Sequence, residues 1–501
     1  MKQKIELNGY IFEPKEGTTS KDIEIYFDRT LGKEWIIEKI SRQLPLYILK
    51  NTSKTPTIKD VWEILYKIDS NQFQSIEPDF NSEISELRGE FISCPDGHLS
   101  ATKDYDWAIK QINAEAAWQL SLGEGIIIGH TDTGYTRHKE IWKDPLSRVY
   151  GLQPQKGWDY QDGDNDASAV DTGDMLNFYS HGTSTASLII SEHNDEGYIK
   201  GIAPRSSLIP IRVDKSVIVS LEKLIRGIDY AIYKGVHITS TSMGNPFGDG
   251  TAVDRILKEA VDNGIIPIAA AGQLPPFELD MEITPAKSPY AVSCTASTQE
   301  RKPWKKAFKA RSITVAAPGE SVWNAESVKA ITYGTTIKRG CGTSYSTALT
   351  AGSAALWYSY LKPSHLYSKV GKNNIFYTYL KTLSDFGIDK WNYEKAGPGI
   401  LNVEKHLKQS KNLPSLKDVE FFKESHNSKT PYSQLQKTIN VLNEINEENV
   451  PEVLCLLFST PNSNLEHILN EIGTELRFHI RSNPQLKQEL TLLSHQFNKD
   501  K

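Results

Sequence analysis

Three side chains in the middle of the chain combine the types needed for nucleophilic chemistry. Asp132 stands in Thr131-Asp132-Thr133-Gly134, directly after the apolar run Ile126-Ile127-Ile128. A carboxylate that ends a buried strand needs a hydrogen-bonded partner to offset its desolvation. His181 opens the small-residue run Gly182-Thr183-Ser184-Thr185-Ala186-Ser187, where a helix can begin close to another backbone while the imidazole accepts a proton near neutral pH. Ser344, in Gly342-Thr343-Ser344-Tyr345-Ser346, starts a helical run that reaches Leu361 before Pro363. A serine there exposes its hydroxyl and aims its own N–H, with the helix dipole, at a developing oxyanion. Taken singly, each also fits a structural role: Asp132 a turn or cap, His181 a packed histidine, Ser344 an N-cap. Together they supply an acid, a base and a nucleophile.

Positioning such a trio calls for a rigid frame. From Tyr105 to about Leu407, buried-type runs (125–129, 208–213, 265–270) alternate with helical segments at Ser220–Tyr233 and Ala252–Asn263. This is the rhythm of an α/β fold, a mostly parallel sheet flanked by helices, in which active groups gather at the carboxyl ends of strands. Residues 1–80 read as a small α+β domain, with strands expected at Ile23–Phe27 and Leu46–Leu49 and helices at Trp35–Leu44 and Ile58–Ile68. Residues 81–104 are polar, without sustained period, and form the expected linker and candidate processing region. Beyond Lys408 glycine nearly disappears, and apolar residues recur at helical spacing (Leu435, Ile439, Leu442, Ile445; Leu465, Ile468, Leu469, Ile472), so 411–501 is expected to be a helical domain.

In that order and with those local sequences, Asp132, His181 and Ser344 resemble the acid, base and nucleophile of the subtilisin-like serine proteases, whose motifs read D-[ST]-G, H-G-T and G-T-S-x-[SA]. Trp107–Trp118 looks like that family's entry segment, and Gly397-Pro398-Gly399-Ile400-Leu401-Asn402 its closing turn. Ser242-Met243-Gly244 resembles the strand that pairs with the substrate backbone, and Ala270-Ala271-Gly272 the opposite wall of the specificity pocket. The resemblance implies a serine endopeptidase acting on polypeptides through an acyl-enzyme, with an oxyanion site made by the Ser344 N–H and the residue at 273. Here that residue is Gln273 where the family usually has Asn, which retains the amide donor but adds a methylene. Ala348 replaces a usual Pro, and Ser180 a usual Gly. The ending Ser75-Ile76-Glu77-Pro78-Asp79-Phe80 resembles that of the family's inhibitory prosegments, implying a zymogen whose own N-terminal domain acts as intramolecular inhibitor or folding chaperone; a permanent accessory domain is the alternative.

No cofactor is needed for this chemistry. Asp159, Asp162, Asp164 and Asp166 crowd one loop and are candidate ligands for a structural Ca²⁺, although they lack the glycine and terminal glutamate of an EF-hand. A second D-T-G at 171–173 raises an aspartic-protease reading, but the two motifs are too close in sequence to sit on two lobes. A catalytically weak or inactive module binding a protein partner through its C-terminal helices is the non-enzymatic alternative. With 57 basic and 62 acidic residues in 501 there is no basic excess for nucleic acid. The N-terminus is charged almost at once and no run approaches the length of a membrane span, so a cytoplasmic location is expected. Cys94, Cys294, Cys341 and Cys455 are scattered, so neither a disulfide framework nor a zinc site is expected.

Overall fold

In a computed structural model of the chain, the described residues are 4–53, 64, 67–69, 72–83, 104–142, 150–168, 180–193, 198–246, 250–273, 282–326 and 333–427. The first unit is a four-stranded antiparallel sheet in the order β2-β3-β1-β4, built from β1 (Lys4–Pro14), β2 (Trp35–Lys39), β3 (Tyr47–Asn51) and β4 (Phe73–Glu83), with helix α1 (Ser20–Thr30) between β1 and β2.

Two assignments made from sequence are reversed here. Ile23–Phe27, expected as a strand, lies inside α1. Ile23 and Phe27, four apart, are buried while Ile25 is exposed, and Thr19 and Asp22 form a reciprocal capping box that starts the helix. Trp35–Leu44, expected as a helix, begins with strand β2. Its β-branched Ile36-Ile37 pair extends against β3, and Pro45 disfavours helical backbone just before it. Strand β3 falls where expected. The helix proposed at Ile58–Ile68 lies almost wholly outside the described residues. Strand β4 continues through Glu83, pairing Asn81 with Glu6, so the first three residues of the expected linker belong to the sheet.

The second unit carries the large sheet. After α2 (Trp107–Gln111) and α3 (Ala114–Ala117) come β5 (Ile127–Asp132), β6 (Gly151–Leu152), β7 (Trp158–Asp159), α4 (His181–Ile190), β8 (Ser207–Arg212), α5 (Leu221–Tyr233), β9 (Ile238–Thr241), α6 (Thr251–Asp262) and β10 (Ile266–Ala270). Then follow β11 (Val292–Ser297), β12 (Ile313–Pro318), β13 (Val322–Glu326), β14 (Thr336–Gly340), α7 (Thr343–Leu361), α8 (Pro363–Val370), α9 (Ile375–Phe386), β15 (Ile388–Lys390), β16 (Gly399–Leu401), α10 (Val403–Gln409) and α11 (Leu416–Asn427). The strand order is β15-β16-β12-β11-β10-β9-β5-β8-β6, with β7 also on β8, and every pairing is parallel except β15 with β16. β13 and β14 form a separate hairpin.

Strand β5 lies between β8 and β9, so the chain leaves it towards one side of the sheet and later returns on the other. That is a topological switch point, where the carboxyl ends of neighbouring strands open a crevice. Helix α7 is apolar or small on all sides, and Ala348, Leu349, Ala351, Ala354, Ala355, Leu356 and Trp357 are all buried, as a helix without a polar face requires. Gly352 lets α7 approach Ile202, whose Cβ would stand 2.5 Å from an added methyl group. Among the described residues no helix is long and apolar enough to cross a membrane.

The C-terminal helical segment begins as part of this core: Val419 of α11 is fully buried and Phe422 packs against the same cluster. The helices expected from Leu435 onward lie outside the described residues.

Candidate active site

Register along the sheet brings the ends of β5, β9 and β10 level. Thr131 is paired with Thr241, and Thr241 with Ala269, so Asp132, Ser242 and Ala270 follow side by side at the crevice. Asp132 is completely buried. Its Oδ1 accepts the Thr133 N–H at 2.7 Å and faces His181 Nδ1 at 2.6 Å. Burial by itself would raise this carboxyl group, but the His181 charge and hydrogen bond, with His130 and the Thr133 N–H, hold it below its ordinary value.

His181 is the first residue of α4, and the approach of that helix to β5 depends on Gly182. A Cβ there would stand 1.9 Å from the Gly134 carbonyl oxygen, which no side chain survives. A carboxylate beside Nδ1 fixes the tautomer with the proton on Nδ1, leaving Nε2 as an acceptor. Nε2 lies 3.0 Å from Ser344 Oγ. Ser344 is the second residue of α7, with Gly342 before that helix. Its Oγ is also 3.4 Å from the Ser242 carbonyl, while Ser242 Oγ donates to the Ser344 carbonyl at 3.2 Å. The three residues singled out from sequence therefore meet in one continuous hydrogen-bonded line.

Gln273 lies beside the start of α7. Its Oε1 accepts the Thr343 N–H at 2.7 Å and faces Thr343 Oγ1 at 3.2 Å. This fixes the amide, and Nε2 is turned towards Gly342, 3.1 Å from where a Cβ would be. Ala270 and Ala271 are buried, and the Gly272 N–H donates to Thr343 Oγ1, so this segment walls the start of α7. Met243 is buried in the core, while the flanking Ser242 reaches Ser344 through both its hydroxyl and its carbonyl.

One expected surface is already occupied. The Gly244 N–H donates to the Val217 carbonyl at 3.0 Å, and the Val219 N–H to the Gly244 carbonyl at 3.1 Å. At Gly244, the edge predicted to receive a substrate backbone is thus paired with Val217 and Val219 of the same chain. Asn245 Nδ2 donates to the Val219 carbonyl and also to the carbonyl of Phe80, which ties this closed edge to the N-terminal unit.

That unit docks through its charged ending. Asp79 Oδ1 accepts the Leu221 N–H at the start of α5, and Glu77 accepts the N–H groups of Gly250 and Ala252 at the start of α6, so two helix N-termini are capped by carboxylates from outside the second unit. Glu13 grips Arg255 of α6 with both oxygens. Asp229 of α5 accepts Ser41 Oγ and the N–H groups of Arg42 and Gln43. Only the Glu-Pro-Asp ending was singled out from sequence; these partners were not, because capping across units leaves no local pattern.

The aspartate-rich loop is organised around a cation from the chain itself. Buried Arg212 binds Asp159 Oδ2 at 2.6 Å and Asp162 Oδ2 at 2.5 Å. Asp164 and Asp166 accept backbone N–H groups two residues on, those of Asp166 and Ser168. Among the described residues no three acidic, histidine or cysteine side chains gather as a metal cluster. The second D-T-G lies outside the described residues. Cys341, three residues before Ser344, is disulfide-bonded, a departure from the thiols expected from sequence, and its partner lies outside the described residues. Cys294 is free and buried.

Residues 123–394, just over half of the chain, match the model of the subtilase family. Thermitase from Thermoactinomyces vulgaris is 28% identical over 250 residues, 49% of this chain and 80% of that protein. The major intracellular serine protease of Bacillus subtilis (strain 168) is 28% identical over 301 residues, 58% of this chain and 86% of that protein. In fold, the chain is similar to fervidolysin from Fervidobacterium pennivorans, described as a keratinolytic enzyme related to subtilisin. The TM-score is 0.59 at 14% identity, covering 80% of this chain and 61% of that one. With the family's model matched along the sheet that carries the crevice, this chain belongs to the subtilase family of serine-type endopeptidases.

Proposed function

We propose that Asp132, His181 and Ser344 are the catalytic trio of this protease and that it hydrolyses peptide bonds through an acyl-enzyme on Ser344. The observation that carries the reading is the unbroken line from Asp132 Oδ1 to His181 Nδ1 at 2.6 Å and from His181 Nε2 to Ser344 Oγ at 3.0 Å. His181 Nε2 takes the hydroxyl proton as Oγ attacks the carbonyl carbon; Asp132 stabilises the imidazolium so formed. The oxyanion develops where the Ser344 N–H and Gln273 Nε2 can both donate. His181 then gives its proton to the leaving amine, and water, activated by the same imidazole, releases the acid.

The N-terminal unit is proposed as an intramolecular inhibitor within a zymogen. Support comes from its carboxylate caps on α5 and α6 and from the Asn245 amide that links Phe80 to the closed edge at Gly244. An intracellular site of action is proposed by analogy with the Bacillus subtilis relative. The Cys341 disulfide is the observation that argues the other way, since such bonds persist in oxidising compartments.

Ser344→Ala tests the catalytic reading. Fluorophosphonate labelling and casein hydrolysis should vanish, a loss on the order of 10⁶-fold in kcat. Intact-mass analysis should show a break within 81–104 in the wild type alone. Hydrolysis retained by the Ala variant would refute the assignment.

A further inference from the structure

We propose that His130 is a positioning residue for Asp132, acting through the hydroxyl of Thr185. His130 stands two residues before Asp132 on β5, and the period of two along a strand puts both side chains on the same face of the sheet. Thr185 stands four residues after His181 on α4, on the same helical face as the proposed base. The two elements therefore bring a second imidazole and a hydroxyl against the carboxylate, at Oδ2, the oxygen that His181 does not bind. All of it is buried: His130 is 2% exposed, and Asp132 and Thr185 are wholly enclosed.

The distances order the protons. His130 Nε2 lies 2.9 Å from Thr185 Oγ1 and 3.7 Å from Asp132 Oδ2. A lone pair on Nε2 would face the carboxylate anion, so the anion selects the tautomer with the proton on Nε2. That N–H donates to Thr185 Oγ1. The hydroxyl, its lone pair engaged, turns its own proton to Asp132 Oδ2 at 3.3 Å, the charged acceptor, in preference to the backbone carbonyls of His181 and Gly182 at 3.1 and 3.2 Å. Asp132 is then held at both oxygens: Oδ1 by the Thr133 N–H and His181, Oδ2 by the imidazole–hydroxyl pair. Fixing Oδ2 prevents rotation of the carboxylate about its own axis and keeps Oδ1 in line with Nδ1.

Burial pushes His130 below the ordinary histidine range, against the pull of Asp132 and with the help of His181, the two ionisable groups that act on it. Burial thus favours the neutral imidazole that this hydrogen-bond order requires. The role is distinct from acid–base chemistry, since His130 does not touch Ser344.

This inference rests on the proposed catalytic trio, and the test separates the two. In the full-length chain, the rate of Ser344 modification by a fluorophosphonate probe is measured as kinact and KI for wild type, Ser344→Ala, His130→Leu, His130→Gln and Thr185→Val. Labelling that survives Ser344→Ala overturns the trio itself. With that control silent, His130→Leu should lower kinact at least about tenfold with KI unchanged, the expected loss of a hydrogen bond to a charged group. His130→Gln, whose amide N–H can reach the place of Nε2, should recover most of that loss. The far-downfield proton resonance of the Asp132–His181 contact should broaden or move in His130→Leu and return in His130→Gln. If His130→Leu does not fold, Thr185→Val, which removes only the hydroxyl link, carries the same expectation for kinact and KI. Wild-type kinact in either folded variant, or no recovery in His130→Gln relative to His130→Leu, overturns the proposal.

Discussion

The contact between the two units should depend on pH through Asp79. This carboxylate is wholly buried where β4 meets α5, accepting the Leu221 N–H at 2.6 Å and Asn8 Nδ2 at 2.7 Å; the same Asn8 amide donates to Glu222 at 2.8 Å. Burial, and then the charge of Glu222, push Asp79 from its ordinary 3.8 up to about 7, although the hydrogen bonds pull the other way. Glu222 shares the burial but is held below its ordinary value by Lys50 and Arg226. A group raised in the docked state favours docking when protonated, so the Asp79 contribution is complete below 3.8 and is lost as pH rises through about 7. Its full size is about 4 kcal/mol. Glu222 has the opposite sign, its contribution being lost as pH falls through its depressed value. Docking should therefore be tightest in mildly acidic solution and loosen towards pH 8.

Asp79→Asn removes the ionisation and keeps an acceptor for the Leu221 N–H. Charge-assisted hydrogen bonds lost with the carboxylate offset part of the gain, leaving a net tightening at pH 8 on the order of 1–2 kcal/mol. The assay is amide exchange over residues 220–224 in a Ser344→Ala background, which excludes self-digestion, with rates corrected for the intrinsic effect of pH. Protection in the wild type should fall between pH 5 and pH 8 and stay nearly level in the Asn variant. Equal slopes in the two proteins would refute the reasoning.

Two further outcomes follow from the site and its surroundings. Gln273→Ala should lower kcat by about 10²–10³-fold with little change in KM, as the loss of an oxyanion donor does, measured on a chromogenic peptide. Arg212→Ala strips the buried Asp159 of its partner and should cost about 3–5 kcal/mol in urea denaturation. Calcium binding by the loop is read separately from the shift of the wild-type midpoint on adding EDTA, a large fall supporting it and an unmoved midpoint opposing it.

What could be read from the chain itself was chemistry with a local signature. Strand, acid and turn follow one another at 126–134, a histidine opens a small-residue helix at 181, and a serine opens an apolar one at 344. Each combination is written in neighbouring residues because strand ends and helix starts impose their demands within a few positions. The parallel sheet was legible for the same reason, its buried strands being apolar runs that need no partner to be recognised. In the N-terminal unit the same logic misled. Ile23-Glu24-Ile25-Tyr26-Phe27 alternates like a strand, and only the Thr19–Asp22 box and the core that receives Ile23 and Phe27 make it a helix.

The rest was settled only by tertiary structure, because it depends on groups brought together from distant parts of the chain. His130 carries no mark of its contact with Thr185 and Asp132 until β5 and α4 are packed together. The aspartates at 159 and 162 show in sequence only as part of an acidic run, and that Arg212, fifty residues on, binds both of them is decided by the packing. The closure of the Gly244 edge by Val217 and Val219 is a backbone pairing in which side chains take no part. Such contacts are ruled by Coulomb and hydrogen-bond terms that depend on distance in space, and sequence separation carries no information about that distance.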